Sequence, residues 1–426
     1  MKPVLGFTIV TAAVLCGCGD RSLFAPPATP RAAAITVVSA GPRDDAGAVS
    51  LGRQIFFDKR LSVNENISCA YCHDPAAGWT GSESELNAAG GMHDGSIPGR
   101  MGNRNPPSSA YATYSPVLHR TQSRDTVVFV GGVFWDGRAT GEVFGSPAAD
   151  QAVRPFLSPI EMALGSPSEV VGRICLGPYG TEFRAVWGDA LCGADQTAAA
   201  WAAVARSLAA FEASPESNAF SSRYDAFVAG EAVLSPDELR GLALFRGKAR
   251  CTACHSIATG PFQRSLFTNF RFENIGVPRN PANPWYRADP ALNPEGPAWL
   301  DRGLGGFLAT RPDYQAYAAD HFGRQRVPTL RNVDRRPSAT FIKAYTHNGY
   351  FRTLEGVVRF HNTRDVLPTC SADMPEEDAL SAQCWPAPEV NVNVNRSAVG
   401  RLRLSDREVL SVVTFLKSLS DGYRSR

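Results

Sequence analysis

Two five-residue stretches, Cys69-Ala70-Tyr71-Cys72-His73 and Cys251-Thr252-Ala253-Cys254-His255, each set two thiols and an imidazole side by side. Cys-x-x-Cys-His is the attachment signature of a c-type haem. The thiols add to the porphyrin vinyl groups, and the adjacent histidine ligates iron from one side. A single Cys-x-x-Cys could be a redox dithiol. A histidine directly after it, twice in one chain, points to two covalent haems. Cys69, Cys72, Cys251 and Cys254 are then the attachment thiols, and His73 and His255 the proximal ligands.

Helices must carry these motifs. Val49 to Phe57 has helical apolar spacing and runs toward the first motif. Ser235-Pro236-Asp237-Glu238 is a helix start, and Leu239, Leu242, Leu244 and Phe245 form an apolar face before the second. Leu51-Gly52 with Phe56 against Arg240-Gly241 with Phe245 hints at a duplicated architecture. The Ala198–Phe211 stretch and a helix opened at Ser405 complete the framework. Strand signals are few, Thr126–Val130 being the clearest. The expected fold is mainly α: two cytochrome c-like haem domains with long loops and little β structure. The expected boundaries are 41–213 and 235–426, joined by 214–234.

The 426 residues carry 43 basic and 41 acidic side chains, a net charge of +2. Such balance offers no field for nucleic acid or a charged membrane. No apolar run reaches the ~20 residues that span a bilayer. Met1-Lys2 and the apolar Val4–Leu15 read as a targeting leader. Leu15-Cys16-Gly17-Cys18 resembles a bacterial lipobox with Cys18 as the lipidated residue; an ordinary secretory signal is the alternative. The expectation is a signal peptide over 1–17, a flexible tether over 18–40, and export to the periplasm or cell envelope, with membrane contact only through the lipid. Of ten cysteines, Cys175, Cys192, Cys370 and Cys384 are left after leader and haems. An oxidising compartment permits disulfides. Among the three pairings possible, the short-loop one joins Cys175 to Cys192 and Cys370 to Cys384.

Phe134-Trp135-Asp136-Gly137-Arg138-Ala139, lying between the haem motifs, resembles the bacterial dihaem cytochrome c peroxidase family, which includes MauG-type enzymes. Its other marks are Arg104-Asn105-Pro106 before this stretch, and Pro159-Ile160-Glu161-Met162, Val327-Pro328-Thr329-Leu330-Arg331-Asn332 and His347-Asn348-Gly349 with Leu354-Glu355 after it, in the family's order. The resemblance spans roughly 49–419. It implies that the His73 haem meets hydrogen peroxide and that the His255 haem passes electrons, with Trp135 between them. It also implies Glu161 as the acid/base for peroxide cleavage and Gln151 beside it, with Pro155 between. An apolar setting around Glu161 would raise its pKa toward a useful value.

The resemblance also places a second axial ligand fourteen residues after His347, at His361. Peroxidase-type members carry Met there and MauG-type members Tyr, so this chain departs from both. His93, twelve residues before Asn105, is a candidate for closing the first haem's sixth position, farther off than the family's spacing, with Met92 and Met101 as rivals. His119 and His321 carry no pattern. A calcium ion is implied at the Asn105 side chain and the carbonyls of Arg326 and Pro328. Three activities are open: peroxide-driven oxidation of a partner protein, as in MauG; reduction of peroxide with electrons from a small redox protein; and electron carriage without peroxide chemistry. The non-Met residue at 361 favours the first.

Overall fold

A serine followed three residues on by an acid can satisfy the free N–H groups of a helix start reciprocally. Ser235 Oγ accepts from the Glu238 N–H while Glu238 accepts from the Ser235 N–H at 2.6 Å, opening the Pro236–Arg246 helix. Ser405 and Glu408 do the same for Asp406–Lys417. The computed structural model describes residues 45–123, 126–257 and 264–424. The signal peptide, the tether and Cys18 lie outside them. The described part is mainly helical, with three two-stranded sheets. His119–Ser123 pairs antiparallel with Thr126–Val130, Phe272–Glu273 antiparallel with Gln325–Arg326, and Thr369–Cys370 parallel with Trp385–Pro386.

Two helix pairs form the frame, built alike. Asp45–Phe57 crosses Thr197–Ala213, and Pro236–Arg246 crosses Asp406–Lys417. At the first crossing Gly52 lies on the Ser207 carbonyl, and a Cβ there would overlap that oxygen. At the second, Gly241 lies on the Ser411 carbonyl in the same way, with Phe415 also against it. One turn on, Phe56 meets Phe211 at 5.2 Å and Phe245 meets Phe415 at 5.3 Å between ring centroids. Each pair is closed by one more aromatic, Trp79 on the first and Phe267 on the second. The faint Gly-and-Phe likeness in the sequence is thus a repeated crossing. A core around Leu51–Phe211 surrounds the first pair and one around Tyr224–Leu419 the second. A smaller one packs Leu118 and Phe129 on Leu304 and Leu308.

Two details differ from expectation. Leu239 is exposed rather than part of the apolar face, because Glu238, Gly241, Leu242 and Phe245 make the buried stripe and Leu239 lies a quarter-turn off it. Within 214–234, expected as the interdomain connection, lies a helix, Arg223–Val228, with its own Ser222–Asp225 capping box and Tyr224 buried in the second core. Asp225 also receives the guanidinium of Arg331, which is 1% exposed, through two hydrogen bonds of 2.7 and 2.9 Å. Contacts distant in sequence knit the chain: Tyr111 donates to Asp421 (2.6 Å), and the Lys343 ammonium to the Ala77 carbonyl (2.6 Å). Cys175 is bonded to Cys192 and Cys370 to Cys384.

Gly241→Ala should lower the stability of the haem-loaded protein by at least ~1–3 kcal/mol, the usual cost of overpacking, and Gly52→Ala likewise. Thermal melts compare them with Gly172→Ala, where a Cβ meets nothing. Equal melting of all three would contradict the close crossing.

Candidate active site

Each Cys-x-x-Cys-His motif sits on a short helical turn at the wall of its own cavity. The first turn, Cys69–Cys72, is held where His73 N–H donates to the Cys69 carbonyl at 2.9 Å. The second, Cys251–Ala253, has the matching bond from His255 to Cys251 at 2.8 Å. Cys69, Cys72, Cys251 and Cys254 are free of disulfides. Burial pushes the Cys69, Cys251 and Cys254 thiols up to about 12, and Cys72 upward as well. A redox dithiol works through a thiolate, so these values speak against that reading of the motifs.

The imidazoles are set by carbonyls. His73 Nδ1 lies 3.2 Å from the Trp79 carbonyl and His255 Nδ1 2.8 Å from that of Phe267. A carbonyl only accepts, so each Nδ1 carries the proton and Nε2 keeps the lone pair that iron needs. Trp79 and Phe267 both adopt positive φ, 63° and 52°, a conformation aromatic residues rarely take. The same aromatic thus closes the helix crossing and turns its carbonyl to the proximal histidine. His361, on the Leu354–Thr363 helix, donates through Nδ1 to the Val357 carbonyl at 2.7 Å. Burial lowers the pKa of all three; His255 falls to about 4. Burial thus favours the neutral imidazole at all three positions.

The first cavity, about 500 Å³, is lined by Cys69, Cys72 and His73 and also by Gln151, Pro155 and Glu161. Gln151 stands on the Pro147–Ala152 helix. Burial raises the Glu161 pKa, against the lowering effects of Ser158 and Arg138. The second cavity, about 210 Å³, is lined by Cys251, Cys254, His255 and His361. Two cavities, each with paired thiols and a tautomer-fixed histidine, fit two c-type haems. Trp135 lines both, is 8% exposed, and donates its indole N–H to the Asn105 carbonyl at 2.8 Å. Its own carbonyl accepts from the Arg326 N–H at 2.7 Å.

His93 also lines the first cavity. It is 3% exposed, wedged on Gly81 and edge-on to Tyr71 at 5.7 Å, with neither ring nitrogen hydrogen-bonded. Burial lowers its pKa to about 4. The Asn105 amide gives both protons to the carbonyls of Ala344 and Thr346, which turns Oδ1 away from them. Arg326 and Pro328 line the second cavity. Among the described residues no cluster of three His, Cys, Asp or Glu side chains is arranged for a metal ion. His119 is exposed on a strand, and His321 is buried against Phe129.

Some site residues carry no sequence signal. Asp301, in a Gly- and Pro-rich region, lines both cavities and takes two 2.7 Å hydrogen bonds from Arg104, 197 positions away, which also pairs with Asp136. Glu212 ends an Ala-rich helix in the first cavity's wall, where burial lifts its pKa to about 8.

Two haem-attachment cavities sharing a tryptophan define a dihaem c-type oxidoreductase. Residues 46–233 match the di-haem cytochrome c peroxidase family. The chain is 35% identical over 392 residues to methylamine utilization protein MauG of Paracoccus denitrificans, covering 91% of this chain and 92% of that protein. It is 29% identical over 331 residues to cytochrome-c peroxidase IdrP1 of Denitromonas iodatirespirans, covering 74% and 73%. The diheme peroxidase BthA from Burkholderia thailandensis superposes with a TM-score of 0.71 at 30% identity, covering 91% of this chain and 89% of that one. The protein belongs to the dihaem cytochrome c peroxidase and MauG family, which implies two c-type haems and reactivity with peroxide.

His361→Ala should remove a low-spin ferric signal and add a high-spin one in electron paramagnetic resonance of the two-haem protein. An unchanged spectrum would rule His361 out as a ligand.

Proposed function

We propose that the protein reacts with hydrogen peroxide in the cavity beside His73 and uses the oxidising equivalents on a partner protein, with the His255–His361 cavity as the electron-transfer site. The asymmetry of the cavities carries this reading. The second offers two tautomer-fixed histidines. The first offers one, together with an acid, an amide and more than twice the volume for the same prosthetic group. A haem held by Cys69, Cys72 and His73 would supply the redox chemistry with peroxide, and one held by Cys251, Cys254, His255 and His361 the electron transfer.

The chain's own residues handle protons and position. Glu161, as carboxylate, accepts the proton from one oxygen of HOOH and delivers it to the other, which leaves as water. Gln151 hydrogen-bonds the peroxide alongside. Trp135, bordering both cavities and held by Asn105, relays an electron between them. His93, buried with two unpartnered nitrogens, is the candidate for the sixth position in the resting state. Asn105 Oδ1 with the carbonyls of Arg326 and Pro328 would hold calcium where the two cavities meet. We read 41–213 and 235–426 as the two haem domains, exported behind the leader and tethered through a lipidated Cys18. Among the described residues no helix is long and apolar enough to cross a membrane.

The second reading is peroxide reduction with electrons from a small redox protein, favoured by the likeness to a named cytochrome-c peroxidase. Glu161 and Gln151 have no task in a plain electron carrier. Turnover with reduced cytochrome c separates the two enzyme readings: slow turnover is expected, and fast turnover would sink partner oxidation. Glu161→Gln should slow the stopped-flow reaction with peroxide by about 10²- to 10⁴-fold. Because burial raises the Glu161 pKa, the wild-type rate should fall as pH drops through that raised value, where the acceptor is lost. The variant's profile should be flat. A variant reacting at the wild-type rate would exclude Glu161 from the chemistry.

A further inference from the structure

One buried charge, the Arg326 guanidinium, has no partner among the described residues. Arg326, Arg331 and Arg364 are buried to a similar degree, 7%, 1% and 8% exposed. Arg331 is held by Asp225 and Arg364 by Asp365. The guanidinium of Arg326 makes no hydrogen bond or ion pair among the described residues, and a guanidinium keeps its charge at neutral pH. An isolated ion inside a protein costs several kcal/mol. The acid nearest in role, Asp301, also lines both cavities, but both its oxygens are committed to Arg104.

The arginine is rooted firmly and placed centrally. Its backbone is in the strand Gln325–Arg326, paired with Phe272–Glu273, and its N–H is bonded to the Trp135 carbonyl. Its side chain lines the first cavity and the second. No described residue supplies the anion this position calls for, and each haem brings two carboxylates on the edge away from its thioether bonds. A guanidinium is a planar fork of five donors matched to carboxylates.

We propose that Arg326 is the shared counter-ion of the two haems, taking a propionate carboxylate from each. This rests on the dihaem reading above. Arg326 is a positioning residue: it fixes the facing edges of the two groups on either side of Trp135. It also controls charge there. A bare cation beside the indole opposes removal of an electron from it, and two carboxylates cancel that opposition.

The test is spectro-potentiometric titration of Arg326→Leu, with intact mass confirming two haems. Losing the cation disfavours the added electron, so both reduction equilibria should move about tenfold toward the oxidised form, a fall of about 59 mV in each potential. Arg326→Lys should restore most of it. A two-haem Arg326→Leu protein with either potential unchanged overturns the shared counter-ion. Wild-type protein carrying fewer than two haems would instead overturn the dihaem reading. If the leucine variant does not accumulate, Arg326→Gln carries the same expectation and the same refutation.

Discussion

Two helix crossings too close for a side chain determine where everything else stands. With Gly52 on the Ser207 carbonyl and Gly241 on that of Ser411, the helices approach until backbone meets side-chain roots, and the phenylalanines one turn on interlock. The closing aromatics, Trp79 and Phe267, both take a left-handed conformation. That conformation aims their carbonyls at the proximal imidazoles. Packing and ligand chemistry are thus one device, used twice. A shift of either crossing would move an imidazole's tautomer lock along with the core.

Charge in the interior follows a simple division. Acids that must stay ionised are paired: Asp136 and Asp301 on Arg104, Asp225 on Arg331. Where burial outweighs any cation, acids are pushed toward neutrality, Glu212 to about 8 and Glu161 in the same direction despite Arg138. Glu212 therefore brings no uncompensated charge into the first cavity at neutral pH.

The haem motifs, the serine helix caps and the strand at Thr126–Val130 were readable because each is a local pattern with a local cause. His361 was reachable only by counting from His347, and it does line the cavity that holds His255. Other features depend on the finished fold. No propensity predicts positive φ at an aromatic residue, so the carbonyls of Trp79 and Phe267 were invisible. Asp301 gave no sign because its partner, Arg104, is 197 residues away. Leu239 was misassigned since Glu238, tied into its capping box, takes the buried position that hydrophobicity alone would give to leucine. The six residues of the Arg223–Val228 helix carry too little apolar periodicity to stand out from a connection.

The depth of the motif thiols sets a demand on whatever joins them to a porphyrin. Thioether formation needs a thiolate, and in the folded chain burial pushes Cys69, Cys251 and Cys254 up to about 12 and Cys72 upward as well. The closed cavities thus disfavour the very form of the thiol that attachment calls for.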